Sequence, residues 1–255
     1  MIKHQDISDI PVSKPDALAS VATLTNIKFR WHKAELAILD IPFLNIQAQQ
    51  HLLIKGVSGS GKSTLLSLLS GINKVEEGEV KLLGNDVGKL SQGQRDQFRA
   101  DNIGYIFQQF NLLPYLSVVD NVSLACDFSS KRKQKVLASY PVIADPIRLE
   151  AIRLLDALNL PRELLDQKAS KLSIGQQQRV AAARALIGSP AIIIADEPTS
   201  ALDHKNSEAF IKLLMQEATR TKATLILVSH DPLLEPLFEQ SLDLSSINQA
   251  VVYYE

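Results

Sequence analysis

The residues with the clearest chemistry are Gly56-Val57-Ser58-Gly59-Ser60-Gly61-Lys62-Ser63-Thr64. They fit G-x-x-x-x-G-K-[ST], a loop built to hold phosphate. Its glycines let the backbone turn tightly and aim several N–H groups at one anion, while the helix that follows adds the positive end of its dipole. Lys62 can then reach the β- and γ-phosphates, and the Ser63 hydroxyl can ligate Mg2+. The competing reading is a glycine-rich turn before an ordinary helix. It loses on context, because an apolar run (Leu52-Leu53-Ile54) precedes the loop and a helical one (Leu65, Leu66, Leu68, Leu69) follows. Gly56, Ser58, Gly59, Ser60, Gly61, Lys62, Ser63 and Thr64 are therefore expected to bind nucleotide phosphates.

A second group belongs beside that loop. Ile192-Ile193-Ile194-Ala195-Asp196-Glu197 is an apolar run ending in two carboxylates. Such runs are the mark of a buried parallel strand, and α/β sheets place ligands at the carboxyl ends of their strands. Asp196 is expected to hold Mg2+ or its water, and Glu197 to act on the attacking water as general base. Gln108 after Tyr105-Ile106-Phe107, and His230 after Ile226-Leu227-Val228-Ser229, end comparable strands and can face a γ-phosphate. The other histidines, His4, His32, His51 and His204, read as surface residues.

Several elements must position these groups. Residues 1–22 read as a tail, broken by Asp6, Asp9, Pro11, Pro15 and Asp16. Leu24–Trp31 and Leu36–Ile46 are β-rich and flank a polar turn. Trp31 is a candidate adenine platform, against the alternative of an edge-strand aromatic covering local core. A short strand is expected over Glu79–Leu83, a helix capped by Ser91 to about Ala100, and a strand over Asn102–Phe107. From Leu112 to about Lys171 the spacing turns helical, with Ser129–Lys135 read as a solvated basic linker. The α/β rhythm resumes with a helix over Gln176–Ile187, strand Ala191–Ala195, helix Ser207–Arg220 and strand Thr224–Ser229.

Bulk properties narrow the class. The 255 residues are 45% hydrophobic and 22% charged, enough for a large buried core. A net charge of −1 and a pI of about 6.5 argue against a nucleic-acid or anionic-lipid surface as the main partner. The single Cys126 excludes an internal disulfide framework and fits a reducing compartment. No apolar window approaches the roughly 20 residues a membrane span needs, and the first residues have no signal-peptide core. A cytoplasmic location is expected, with membrane association only through another protein.

Leu172-Ser173-Ile174-Gly175-Gln176-Gln177-Gln178-Arg179 resembles the signature sequence of ATP-binding cassette (ABC) ATPases. With it, six motifs stand in the family's order over about residues 24 to 240. They are the Walker A loop (Gly56–Thr64), the Q-loop Gln108, the signature, Walker B (Ile192–Asp196) with Glu197, the D-loop Ser200–Asp203, and the switch His230. The resemblance implies an α/β fold: a P-loop NTPase (RecA-like) core with an N-terminal antiparallel β subdomain and an inserted α-helical subdomain. The cassette would occupy residues 23–245, with the helical insertion at about 112–175 and a C-terminal tail at 246–255.

It further implies ATP and Mg2+ as cofactors, with Ser63, Gln108 and Asp196 at the metal and Lys62, Gln108, Glu197 and His230 in catalysis. Two copies would close head to tail on two ATPs. Ser173, Gly175 and Gln176 of one copy, with Asp203 nearby, would then complete the partner's site, and Trp31 would take the adenine-stacking position. Gly104–Pro114 and Asp196–Asp203 look like the lipoprotein-releasing and macrolide-export type. There the ATPase drives a separate transmembrane permease and, through it, a periplasmic adaptor. Phe110–Val119 would form part of the permease groove.

Three features depart from the pattern: Ile174 stands in place of a signature glycine, Cys126–Arg148 is long and irregular, and no closing segment is evident in Leu237–Glu255. A soluble ABC ATPase acting on DNA or ribosomes is the alternative. It generally needs a coiled coil, zinc-binding cysteines or two cassettes, none of which is evident here. A cassette that binds ATP without hydrolysing it conflicts with the intact Glu197.

Overall fold

The computed structural model describes residues 19–31, 36–200 and 202–250. In chain order the elements are β1 (Ser20–Phe29), β2 (Leu39–Gln47), β3 (Leu52–Lys55), α1 (Lys62–Leu69), β4 (Glu77–Leu82) and β5 (Asn85–Asp86). Next come α2 (Gln92–Asn102), β6 (Ile103–Ile106), α3 (Val118–Asp127), α4 (Ser130–Ser139), α5 (Pro146–Ala157) and α6 (Ile174–Leu186). The chain ends with β7 (Ile192–Asp196), α7 (His204–Arg220), β8 (Thr224–Val228) and β9 (Gln240–Asp243).

Two sheets result. One is antiparallel in the order β2-β1-β4-β5, and the other runs β6-β7-β8-β3-β9 with every adjoining pair parallel. Side chains alternate between the faces of a strand. Leu53, Ile193, Ala195, Leu225 and Leu227 accordingly enter one core with α3, α5, α6 and α7. Leu52, Ile54, Ile192, Ile194, Ile226 and Val228 enter the other, with α1 and the antiparallel sheet. Because both faces are covered, these strands read as unbroken apolar runs rather than as alternating ones. The expected α/β core with an antiparallel subdomain and a helical insertion is the architecture observed.

Three boundaries differ from expectation. The expected tail 1–22 overlaps β1, which begins at Ser20. Val21 and Ala22 are buried, and Ala22 pairs with both Ile46 and Leu82. The expected C-terminal tail at 246–255 is docked as far as residue 250. Leu244 is buried, and Asn248 and Gln249 bond to the start of β2. The closing segment is β9, which lies parallel to β3 in the register Leu52↔Gln240 to Lys55↔Asp243. It is an exposed edge strand whose Leu242 is only partly buried, so it carries no apolar pattern to read.

Ser129–Lys135 is not a solvated linker but the start of α4. Ser129 caps that helix by accepting from Arg132 N (3.0 Å) and itself donates to Asp101 (2.5 Å). Lys131 and Lys135 reach Asn102 Oδ1 and the Ser189 carbonyl, each at 2.7 Å. Arg132 is buried and donates to the Ala185 carbonyl. A run of cations looks solvated until the fold supplies acceptors for its long side chains. His51 is likewise no surface residue. It is 8% exposed, bonds Thr219 Oγ1 at 2.9 Å and accepts from Leu225 N, and burial lowers its pKa. His204 is exposed, as expected, while His4 and His32 lie outside the described residues.

Candidate active site

At the carboxyl ends of β3, β6, β7 and β8, most of the expected groups line one cleft of about 540 Å3, while Gly56 and the buried Ser60 lie behind its lining. Ser58, Gly59, Gly61, Lys62, Ser63, Thr64, Gln108, Asp196, Glu197 and His230 all face it, with Ile38 closing the side nearest the antiparallel sheet. The topology accounts for this convergence. β8 separates β3 from β7, so the loop after β3 and the carboxylates after β7 lie across one strand from each other.

The loop after β3 turns at two glycines that no other residue could replace without rearrangement. Gly56 has φ +155°, and a Cβ there would lie 2.7 Å from Ser60 Oγ. Gly61 has φ +96° and caps α1; a Cβ there would lie 2.9 Å from Leu39 Cδ2. Among the described residues no side chain caps α1, an arrangement that suits an anion at the first N–H groups of that helix. Lys62 Nζ bonds the carbonyls of Gly56 (2.8 Å) and Val57 (2.9 Å), folded back over the loop it would share with phosphate. Ser60 Oγ is buried with no hydrogen-bond partner among the described residues.

The acidic pair sits across from the loop. Ser63 Oγ donates to Asp196 Oδ1 at 3.4 Å. Burial raises the Asp196 pKa, against the lowering effect of that hydroxyl. Glu197 holds a left-handed backbone (φ +45°), a conformation that costs a non-glycine residue about 1–2 kcal/mol, and its N–H bonds the Val228 carbonyl at 3.0 Å. Its Oε2 lies 2.9 Å from His230 Nδ1. A carboxylate there accepts, so Nδ1 is the donor of this pair and Nε2 of the exposed ring points away from it.

The turn after Gln108 is held from a distance. Phe110 and Asn111 are both left-handed (φ +59° and +48°), and Arg184, near the end of α6, donates to their carbonyls at 2.5 and 2.7 Å. Burial lowers the Arg184 pKa. Neither Arg184 nor Ile38 is legible as a site residue from the sequence. An arginine in a last helical turn and an isoleucine before a strand have no local signal that sets them apart.

Other expected site residues lie elsewhere. Ser173 caps α6 in a reciprocal box with Gln176: its N–H bonds Gln176 Oε1 at 2.9 Å, and its hydroxyl accepts from Gln176 N at 3.4 Å. Ser173, Gly175 and Gln176 line a separate cleft of about 230 Å3 with Leu202 and Asn206. Asp203 caps α7 beside it through Asn206, whose N–H and side chain hold its carboxyl below the usual range. One chain therefore carries two helix-start polar sites that do not meet. Trp31 does not line the larger cleft. It is 42% exposed and packs edge-on against Phe29 with ring centroids 5.1 Å apart.

Comparison with known proteins agrees with this arrangement. Residues 39–200 match the ABC transporter family. The ABC transporter ATP-binding protein MJ0796 of Methanocaldococcus jannaschii is 38% identical over 188 residues, covering 74% of this chain and 77% of that protein. A dimeric structure of MJ0796 in a post-hydrolysis state bound to ADP and Pi aligns with a TM-score of 0.75 at 32% identity, over 92% of this chain and 99% of that one. The lipoprotein-releasing system ATP-binding protein LolD of Saccharophagus degradans is 35% identical over 197 residues (77% of this chain, 81% of LolD). The macrolide export ATP-binding/permease protein MacB of Chlorobaculum tepidum is 36% identical over 203 residues, 80% of this chain but 29% of that longer protein. Both the fold and these matches extend over most of the chain, which belongs to the ABC transporter family as an ATP-binding, ATP-hydrolysing subunit of the lipoprotein-releasing and macrolide-export type.

Proposed function

We propose that the chain works as one half of a two-site engine on the cytoplasmic face of a membrane, hydrolysing ATP to move a separate transmembrane permease. The observation that carries this is the pair of helix-start sites on one molecule. The larger cleft has a phosphate loop, a cation and carboxylates, while Ser173, Gly175 and Gln176 lie outside it. A second copy turned head to tail would bring the second site to the first. The dimeric MJ0796 structure supports that reading, as the names of LolD and MacB support an export or release system.

Within the larger cleft, the loop N–H groups and Lys62 would hold the phosphates, and Gly56, Ser58, Gly59, Ser60, Gly61, Ser63 and Thr64 would shape the cradle. Mg2+ suits the remaining groups: a hydroxyl (Ser63), an amide (Gln108) and a half-buried carboxylate (Asp196) that burial makes harder to ionise. Phosphate and water would supply its other ligands. The ion would neutralise charge on the phosphates. Phosphoryl transfer needs positioning and electrostatics more than covalent help. Glu197 would take the proton of the water whose oxygen attacks the γ-phosphorus as the bond to the bridging oxygen breaks. His230 would hold Glu197 in place through Nδ1–H and present its other nitrogen to the γ-phosphate. Trp31 would lie on the base side.

The permease would seat on Phe110–Val119, where Tyr115 is 66% exposed. Backbone bonds from Ala169 to Leu116 and from Val118 to Gln167 tie that segment to the chain just before α6. Among the described residues no helix is long and apolar enough to cross a membrane, which leaves the span to the permease. Any periplasmic adaptor would be reached only through it. The test is Glu197→Gln with Mg–ATP, followed by light scattering. A doubling of mass that Ser173→Arg abolishes is expected, and a monomer at saturating ATP, even with the permease present, overturns the reading.

A further inference from the structure

We propose that Asn248 is a positioning residue that sets the base-side wall of the nucleotide cleft. This rests on the reading that the cleft takes ATP with the β1–β2 end on its base side. Asn248 lies past the last strand and outside every motif above. Its amide is used on both ends. Oδ1 accepts from Asp40 N at 2.8 Å, while Nδ2 donates to the Ile38 carbonyl at 2.9 Å and reaches the Ser60 carbonyl at 3.5 Å. Ala250 N bonds the same Oδ1 at 3.2 Å, and Gln249 N bonds the Asp40 carbonyl at 2.8 Å, so the side chain is itself held in place.

What this amide fixes is the start of β2 together with Ile38, the residue just before it, which meets the cleft. On one side the segment joins β1: Ile38 N donates to the Phe29 carbonyl at 2.8 Å, and Asp40 pairs with Lys28. Trp31 follows on the same strand end. On the other side, among the described residues, the segment's hydrogen bonds go to Asn248 and Gln249. The Ile38 side chain lines the cleft, and a Cβ on Gly61 would fall 3.3 Å from its Cγ2. One side chain therefore ties the edge of the antiparallel sheet to the phosphate loop and sets the gap between them. The sheet itself does not depend on it, because Leu39 and Ile41 are fully buried in the core shared with α1.

The chemistry demands asparagine. A single short group must donate to one carbonyl and accept from an N–H two residues along. Aspartate would set a carboxylate against the Ile38 carbonyl, and alanine would leave both backbone groups to water. The predicted consequence is a loss that follows the base and not the phosphates.

The experiment uses the full chain and its Asn248→Ala and Asn248→Asp variants, with calorimetric Kd for Mg–ATP and for Mg–tripolyphosphate, and with KM and kcat for hydrolysis. Both variants should bind ATP about fivefold more weakly, roughly the worth of one hydrogen bond. Tripolyphosphate affinity and kcat should stay within twofold. Equal losses for both ligands would overturn the proposal, as would unchanged ATP affinity. Should Asn248→Ala fail to fold, Asn248→Ser is read by the same ratio. A wild-type chain that binds ATP no better than tripolyphosphate would instead remove the base-side reading on which the proposal rests.

Discussion

Two ends of the molecule treat polar groups in opposite ways. In the cleft they are left short. Asp196 is partly desolvated with one long hydroxyl contact, Ser60 Oγ is buried without a hydrogen-bond partner among the described residues, and Glu197 sits in a strained backbone. Between α5 and α7 they are saturated. Glu150 accepts from Tyr140 (2.6 Å) and twice from Arg153 (2.8 Å each), Arg153 also meets Glu217 at 3.0 Å, and Arg220 closes on Glu217 at 3.0 Å. The first arrangement costs the folded chain something that a bound ligand can return. The second holds the helical insertion on the core without any ligand. A group left short at a cleft is a statement about function, and one that is fully paired is a statement about the scaffold.

The largest effect should come from removing the proton acceptor. Glu197→Gln is expected to lower kcat about 1,000-fold in a phosphate-release assay while ATP still binds, because only the general-base role is lost. Lys62→Ala should come next, weakening ATP by about 100-fold in calorimetry, since a charge-assisted contact to phosphate goes with it. At the saturated end, Glu150→Ala should destabilise the fold by about 2 kcal/mol in urea melts and leave KM unchanged. That figure is below the cost of breaking a fully buried pair, because Arg153 and Arg220 are partly exposed. A change in KM there would dissolve the contrast between the two ends.

The smallest and most discriminating effect is on pH. Burial raises the Asp196 pKa, so the fold binds that proton more tightly than the unfolded chain does. Stability from this group is therefore lost as pH rises from the ordinary Asp range through the raised value. Asp196→Asn should melt higher than wild type above that window and like it below. For Glu150, burial pushes the pKa up, but Arg153 and Tyr140 outweigh it and leave the carboxyl below its usual range. Its contribution is present above the ordinary Glu value and fades as pH falls through the lowered one. Melting curves of Asp196→Asn and Glu150→Gln against pH should diverge from wild type in opposite directions.

Legibility in the sequence followed the same division. Lys62, Asp196, Glu197, Gln108 and His230 could be picked out because each closes an apolar strand or opens a helix, and a parallel sheet gathers such ends at one edge. Ser173 entered only through the resemblance and the helix was expected to start at Gln176, although the capping box that Ser173 and Gln176 form is local. Arg184, Ile38 and Asn248 were not, since their partners lie 73, 9 and 208 residues away in the chain. His51 and Arg132 looked like surface residues for the same reason.

Taken alone, the sequence determined the order of the core elements as far as β8, the apolar runs of the parallel sheet and the chemistry at its strand ends. Those depend on period, punctuation and residue type over a few positions. Only the tertiary structure decided which cations are buried, which exposed edge receives β9, and what holds the cleft's far wall against the phosphate loop. A hydrogen bond between distant residues leaves no periodic trace, because its donor and acceptor need nothing in common but the place where the fold brings them together.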